Sequence, residues 1–169
     1  NFLKNLNVYV LIVLTLVGIT FIFTQYFGRF PLDEKYALDM LYYYKQSDFM
    51  GSLLSMDAAS RLSYLMIHIA DYVFMLGIYP LMGLILARSF KKVVWLPVIP
   101  LFAFVFDFLE NILFDFHLIF YPAQVPFFGT IAGICTPLKF EMFFASLALV
   151  IVALIKAIFF REKVEKSEA

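Results

Sequence analysis

Long apolar stretches alternate with short polar segments along the chain, and this pattern predicts the architecture. The apolar stretches cover residues 8–27, 62–87, 93–120 and 127–160. Each has about 20 residues or more, enough for a helix to cross a hydrocarbon core of about 30 Å. We therefore predict an all-α polytopic membrane protein, a bundle of four transmembrane helices that forms one membrane domain over residues 1–169.

The segment 32–60 is the longest polar region, and it predicts a short external amphipathic helix. Asp33 and Glu34 suit the first turn of this helix. Its apolar side would be formed by Ala37, Met40, Leu41 and Tyr44, and a turn would follow at Met50-Gly51-Ser52. We expect this helix to cap the end of the bundle at the membrane surface; a lid over a binding site is the alternative.

Local signals predict how the spans begin and connect. Asp57 suits the start of the second span, and the short connection 88–92 makes the second and third spans an antiparallel hairpin. An uncharged turn is expected over residues 117–126. Pro80 predicts a kink and Pro137 a break, because proline lacks the N–H that continues a helix.

The basic residues predict the orientation. Eight of the 13 basic residues fall in or beside the N-terminus, the connection 88–92 and the tail 161–169, all on one side of the predicted bundle, whereas acidic residues offset the basic ones of the segment 32–60. The positive-inside rule makes this side cytoplasmic. We therefore expect a multi-pass plasma-membrane protein with both termini cytoplasmic and the segment 32–60 outside. The first apolar stretch is too long for a signal peptide, and because the chain begins with Asn1 we expect a trimmed start.

Composition narrows the classes of function. The chain is 63% hydrophobic with 22 Phe, above the roughly half that is typical of soluble domains, so a lipid bilayer is the expected surrounding. The zero formal net charge argues against a nucleic-acid partner. One cysteine, Cys135, excludes an internal disulfide framework. No cofactor is predicted.

Charged residues interrupt three of the apolar stretches at a similar level. Counted from the nearest cytoplasmic basic residue, Asp71, Asp107, Glu110 and Lys139 lie about 22–27 Å along their helices. This places them in one layer in the outer half of the bilayer. Charges in such a layer are costly unless they are paired, and they usually mark a binding or proton-handling site.

The cheapest arrangement pairs Lys139 with Glu110 or Asp107 and satisfies the remaining groups by hydrogen bonds. Glu141 lies about 200° around the helix from Lys139 and is a secondary candidate. The candidate ligand-binding residues are Asp71, Asp107, Glu110, Asn111, Lys139, His68, Tyr64, Tyr72 and Thr136.

Several spacings resemble those of uncharacterised bacterial four-span membrane proteins. They are Arg61…Tyr64…Asp71…Tyr79, the Asp107-x-x-Glu110-Asn111 box, Tyr121-Pro122 and Thr136-x-x-Lys139. The resemblance implies no known activity. A looser likeness, in helix number and buried acids, is to the emopamil-binding and sigma-2 receptor group, whose intramembrane carboxylates bind amine-bearing ligands and sterols.

These observations favour a protein that binds a small polar, cationic or lipid-like ligand, with transport or proton coupling as an extension. Its pocket would open to the outer leaflet, and Glu110→Gln should abolish binding while leaving the fold intact. One alternative is a small accessory subunit that docks a larger membrane partner and whose charges only hold the helices together. Transport would instead favour a homodimer, because four spans are few for a transporter. A second alternative is an intramembrane enzyme that uses a carboxylate pair.

A metal site is not predicted, because no ligand spacing in the chain is diagnostic. The four residues that could bind a divalent cation are His68, Asp71, Asp107 and Glu110.

Overall fold

The computed structural model describes residues 2–27, 38, 41–122 and 125–167. This part of the chain is all-α and contains no strand, as predicted. Its helices are α1 (Phe2–Phe27), α2 (Gln46–Ser55), α3 (Ala58–Ser89), α4 (Val98–Ile119) and α5 (Phe128–Ser167).

Within the described residues, α3 and the part Phe128–Phe159 of α5 are long and apolar enough to cross a membrane. The apolar part of α1, Val8–Thr24, is shorter. The 22-residue α4 carries three carboxylates, those of Asp107, Glu110 and Asp115.

Contacts between the helices show that α3 runs antiparallel to both α4 and α1. On α3 and α4, Tyr72 is bonded to Asp115 and Tyr79 to Asp107, so one helix rises as the other descends. On α1 and α3, Gly18 faces the backbone of Phe74 while Gly77 faces that of Thr15. In the described chain, α1 makes its main interface with α3, whereas α5 packs against α4, α3 and α2.

The start of α3 lies at the residue that the sequence indicates. The Oδ1 atom of Asp57 accepts a hydrogen bond of 2.7 Å from the backbone N–H of Ser60. This bond lowers the pKa of the Asp57 carboxyl, because it favours the ionised form. The helix then continues through Pro80 to its end.

The predicted break at Pro137 is wrong, because α5 is helical on both sides of this residue. The neighbours of Pro137 are held by α4: Thr136 donates to Glu110 and Lys139 to Asp107. Contacts with neighbouring helices commonly stabilise a helix around proline.

The external helix differs from the predicted one. Most of the predicted helix around Asp33 and Glu34 lies outside the described residues, and residues 41–45 are not helical. The helix that forms, α2, includes the predicted turn at Met50-Gly51-Ser52, so that prediction is wrong.

Two local contacts explain why the helix forms over α2. Asp48 begins it by accepting a hydrogen bond of 2.9 Å from the backbone N–H of Lys45. Phe49 and Leu53 then pack one face of α2 into the core. A Cβ atom at Gly51 would meet open space, and the helix continues through this residue.

The charged residues of α4 lie at a different depth from the predicted one. Because residues 93–97 are not helical and α4 begins at Val98, a count from Lys92 at helical rise overestimates the depth. Asp107 and Glu110 lie about 14 and 18 Å from Val98 and about 18 and 14 Å from Ile119. They therefore occupy the middle of α4. His117 lies in its last turn, not in the predicted loop.

Apolar side chains form separate clusters at different levels of the bundle. The upper cluster lies beside α2 and contains Leu38, Tyr44, Phe49, Leu53, Met56, Tyr64, Ile67, Phe114, Leu118 and Ala132. The lower cluster joins α3, α5 and the turn before α4 and contains Met82, Leu86, Leu96 and Val150. Polar side chains of α3, α4 and α5 meet between these two clusters.

Candidate functional site

Lys139 binds two carboxylates of α4. Its Nζ lies 3.0 Å from Oδ1 of Asp107 and 2.8 Å from Oε2 of Glu110. All three side chains are buried. The sequence predicted either pair, and the structure contains both, because Asp107 and Glu110 lie one turn apart on the face toward α5.

Glu110 ties three parts of the chain together. Its Oε1 accepts hydrogen bonds from Thr136 Oγ1 at 2.6 Å and from the Tyr44 hydroxyl at 3.0 Å. Thr136 was predicted as a partner. Tyr44, from the segment before α2, was not predicted as a site residue, and no local pattern indicates that its hydroxyl reaches so deeply.

Asp107 has a second partner on α3. Its Oδ2 accepts a hydrogen bond of 2.7 Å from the hydroxyl of Tyr79, which is itself buried. Tyr79 shares the polar face of α3 with Asp71, so the helical spacing could have added it to the candidate residues.

Asp71 has no cation partner among the described residues. Its Oδ2 accepts a hydrogen bond of 2.6 Å from Nδ2 of Asn111, and no described basic side chain lies within ion-pair distance of it. The Oδ1 atom of Asn111 is buried and has no hydrogen-bond partner in the described chain. A carboxylate and a buried acceptor side by side suit a ligand that donates hydrogen bonds.

A second polar group lies one turn nearer to α2. His68 Nδ1 lies 2.5 Å from Oδ1 of Asp115, and the Tyr72 hydroxyl donates to Oδ2 of Asp115 at 2.7 Å. Asp115 was not a candidate, although its four-residue spacing from Asn111 indicates the same face of α4. Tyr64 packs its ring edge-to-face on His68, with ring centroids 4.7 Å apart.

A cavity of about 220 Å³ opens between α3 and α5. Its polar wall is formed by Asp71, Tyr79, Asp107 and Lys139, and its apolar wall by Phe74, Phe140 and Phe143. Of the candidate residues, Asp71, Asp107 and Lys139 line this cavity; Glu110 and Asn111 support them from behind. His68, Tyr64, Tyr72 and Thr136 lie outside its lining.

Other residues considered from the sequence lie apart from the cavity. Glu141 is exposed, and its Oε1 accepts a hydrogen bond of 2.6 Å from the Tyr42 hydroxyl. Cys135 is buried and free. Among the described residues, no group of three or more His, Cys, Asp or Glu side chains is placed to hold a metal ion.

Comparison with protein families, with characterised proteins and with solved structures finds no match to this chain. Its function must therefore be inferred from the geometry of the site. That geometry combines two carboxylates, a lysine fixed by Asp107 and Glu110, and four aromatic rings around one cavity.

Proposed function

We propose that the chain is an integral membrane protein in which α1, α3, α4 and α5 cross the bilayer. The surface of these helices supports this proposal, because polar groups are buried inside and large apolar side chains are exposed outside. Exposed examples on the four helices are Val17, Leu76, Phe102 and Ile155. A soluble monomer rarely exposes so continuous an apolar surface.

The two ends of the bundle support a plasma-membrane orientation with both termini in the cytoplasm. Lys91 and Lys92 are exposed beside Trp95 at the end where α3 meets α4. Lys156 of α5 reaches the same end and donates to the carbonyl oxygen of Ser89 at 3.3 Å. Basic residues with an interfacial tryptophan are typical of a cytoplasmic boundary.

The proposed activity is the binding of a small ligand that bears an ammonium group. The observation that carries it is the cavity of about 220 Å³ with Asp71 in its wall. The described cluster contains three carboxylates, those of Asp71, Asp107 and Glu110, but only one ammonium, that of Lys139. Lys139 is held by Asp107 and Glu110, so Asp71 is the carboxylate left to receive a cation.

The aromatic wall favours the same class of ligand. Phe74, Phe140 and Phe143 line the same cavity as Asp71 and Asp107. Aromatic ring faces attract cations within about 6 Å of their centroids, and they also cover the apolar carbon atoms next to an amine. An ammonium at Asp71 would donate hydrogen bonds to its carboxylate, which Asn111 holds from behind the cavity.

Asp71→Asn tests this function better than the substitution of Glu110, because Glu110 lies behind the cavity and holds Tyr44, Thr136 and Lys139. Octylamine, with octanol as its uncharged control, should raise the melting temperature of the purified wild-type protein in mild detergent. Asp71→Asn should lose at least tenfold in octylamine affinity, since the carboxylate that offsets the ligand charge is gone.

Glu141→Gln is the matched control, because Glu141 is an exposed carboxylate of α5 outside the cavity. It should bind octylamine like the wild type. Equal affinities for Asp71→Asn and the wild type, or equal stabilisation by octanol, would contradict the proposed site. Native mass spectrometry of the protein from mild detergent would identify a retained ligand by its mass.

The second candidate is a small accessory subunit in which the cluster only joins helices. Glu110 favours it, because this residue connects α4, α5 and the segment before α2 and is almost completely buried. A stoichiometric partner that co-purifies with the wild type and with Asp71→Asn alike would support this role. Transport or proton coupling would extend the first candidate.

A further inference from the structure

Apolar clusters lie on both sides of the cavity along the axis of the bundle. On the α2 side, beyond the polar group of His68, Tyr72 and Asp115, lies the upper cluster, in which Tyr64 and Phe114 are almost completely buried. Toward the other end, Phe143 lines the cavity and also packs against the lower cluster around Met82. A polar ligand that moved along the axis of the bundle would therefore have to pass an apolar cluster at either end.

The opening of the cavity faces sideways. Phe74 and Phe140, from opposite helices, line it and are partly exposed at the bundle surface. The surface beside Phe140 is apolar, because Phe144 stacks on it and is more than half exposed. In a membrane, this surface contacts acyl chains and not water.

The size of the cavity limits what it can enclose. A volume of about 220 Å³ is below the roughly 300–1,000 Å³ of pockets that surround a drug-sized molecule. It corresponds to about seven water molecules at the density of the liquid. A head group and a few carbon atoms fit, and the rest of a longer ligand must leave through the side opening.

We propose that the ligand is an amphiphilic amine dissolved in the bilayer, which enters sideways between α3 and α5. Its ammonium group binds at Asp71, its first carbon atoms contact Phe74 and Phe140, and its remaining tail stays in the lipid. This inference rests on the proposed function and adds the class of ligand and its route.

Quenching of a single tryptophan tests the route. Trp95 is the only tryptophan, so Phe140→Trp in the Trp95→Phe background reports on the opening alone. The protein is placed in phosphatidylcholine vesicles whose acyl chains carry bromine near the middle. We expect bromine to quench this tryptophan at least twofold more than aqueous iodide does, and octylamine to relieve the quenching.

Phe102→Trp in the same background is the control, because Phe102 is exposed on α4 and does not line the cavity. Bromine should quench it equally with and without octylamine. Strong quenching by iodide at position 140, or bromine quenching there that bound octylamine leaves unchanged, would overturn lateral entry.

A series of amines tests the same idea on the wild-type protein. From butylamine to dodecylamine, the affinity measured against the aqueous concentration should rise about fourfold for each added CH₂. An enclosed pocket reached from water would stop gaining affinity once its volume was filled, and such a plateau after the first few carbons would contradict the proposal.

The two proposals can fail separately. If binding depends on Asp71 but affinity reaches an early plateau and iodide quenches the position-140 probe, the ammonium site is retained and lateral entry is wrong. If no amine in the series binds, the ammonium site is wrong, and lateral entry of an amine falls with it.

Discussion

Lys139 holds two carboxylates with one ammonium group, so the residues of this cluster depend strongly on one another. Removing the lysine leaves Asp107 and Glu110 buried one turn apart without their cation. Removing Glu110 instead leaves Lys139 with Asp107 as a partner. Breaking a buried ion pair costs about 3–5 kcal/mol, mainly because a charge is left uncompensated.

We expect Lys139→Met to lower the free energy of unfolding by about 3–5 kcal/mol. Glu110→Gln should destabilise the wild type but stabilise the Lys139→Met background, where it removes one of two repelling carboxylates. Chemical unfolding of the four proteins in the same mild detergent measures this double-mutant cycle. Additive effects of the two substitutions would show that Lys139 and Glu110 are not energetically coupled.

Helical spacing was sufficient to predict which charged residues of one helix share a face. From the sequence alone it placed Asp71, Asp107, Glu110 and Lys139 in one cluster. The period of 3.6 residues gives the face on which each side chain lies, and its position along the helix gives its level. It could not predict Tyr44, since the reach of a non-helical segment depends on tertiary packing.

Glycine lets α1 and α3 approach closely, and this contact is the main interface of α1 in the described chain. A Cβ atom at Gly77 would lie 2.5 Å from the backbone N of Thr15, and one at Gly18 would lie 2.6 Å from the Cα of Phe74. Both distances are too short for a side chain without separation of the helices. Small residues at such crossings are common in membrane helices, where the lipid gives no hydrophobic drive for association.

Gly77→Val should therefore lower the melting temperature in mild detergent and make α1 more susceptible to protease. The reason is that two backbones must move apart, since the contact is with the main chain of α1 and not with a flexible side chain. Gly51→Ala is the control, because a Cβ at Gly51 in α2 meets nothing within 4 Å. It should be neutral or slightly stabilising, and equal effects of the two substitutions would contradict this explanation.

At the scale of elements, apolar runs were better guides than single residues. The four runs correspond to α1, α3, α4 and α5, and the cap at Asp57 was predicted correctly. Pro137 and Gly51 were wrongly predicted to interrupt the chain's helices. Proline and glycine weaken a helix by only a few kcal/mol, and contacts with neighbouring elements can offset this cost.

On the scale of the whole molecule, the antiparallel order gathers four helix ends and their basic residues at one side. Lys91 and Lys92 lie there beside Trp95, while α2 lies at the opposite side with the upper cluster. By length and composition, α3 and α5 are the described helices that could each cross a membrane. Four spans and their orientation are therefore predictions.

Labelling of single cysteines can test the orientation in intact cells. With Cys135→Ala as the background, Ser47→Cys on α2 should react with a membrane-impermeant maleimide from outside. Lys91→Cys should react only after the membrane is opened, because the proposed cytoplasmic side carries the connection between α3 and α4. Both positions are exposed in the structure. The reverse pattern would invert the orientation, and labelling of both from outside would contradict four spans.

The ion pairs between α4 and α5 also bear on how the chain is synthesised. At mid-helix, a lone carboxylate or ammonium opposes membrane insertion by about 2.5–3.5 kcal/mol, and α4 carries two carboxylates there. Its cation, Lys139, belongs to the helix that is translated next. If α4 and α5 cross the bilayer as proposed, the insertion machinery would hold α4 until α5 emerges and release both as a neutralised hairpin.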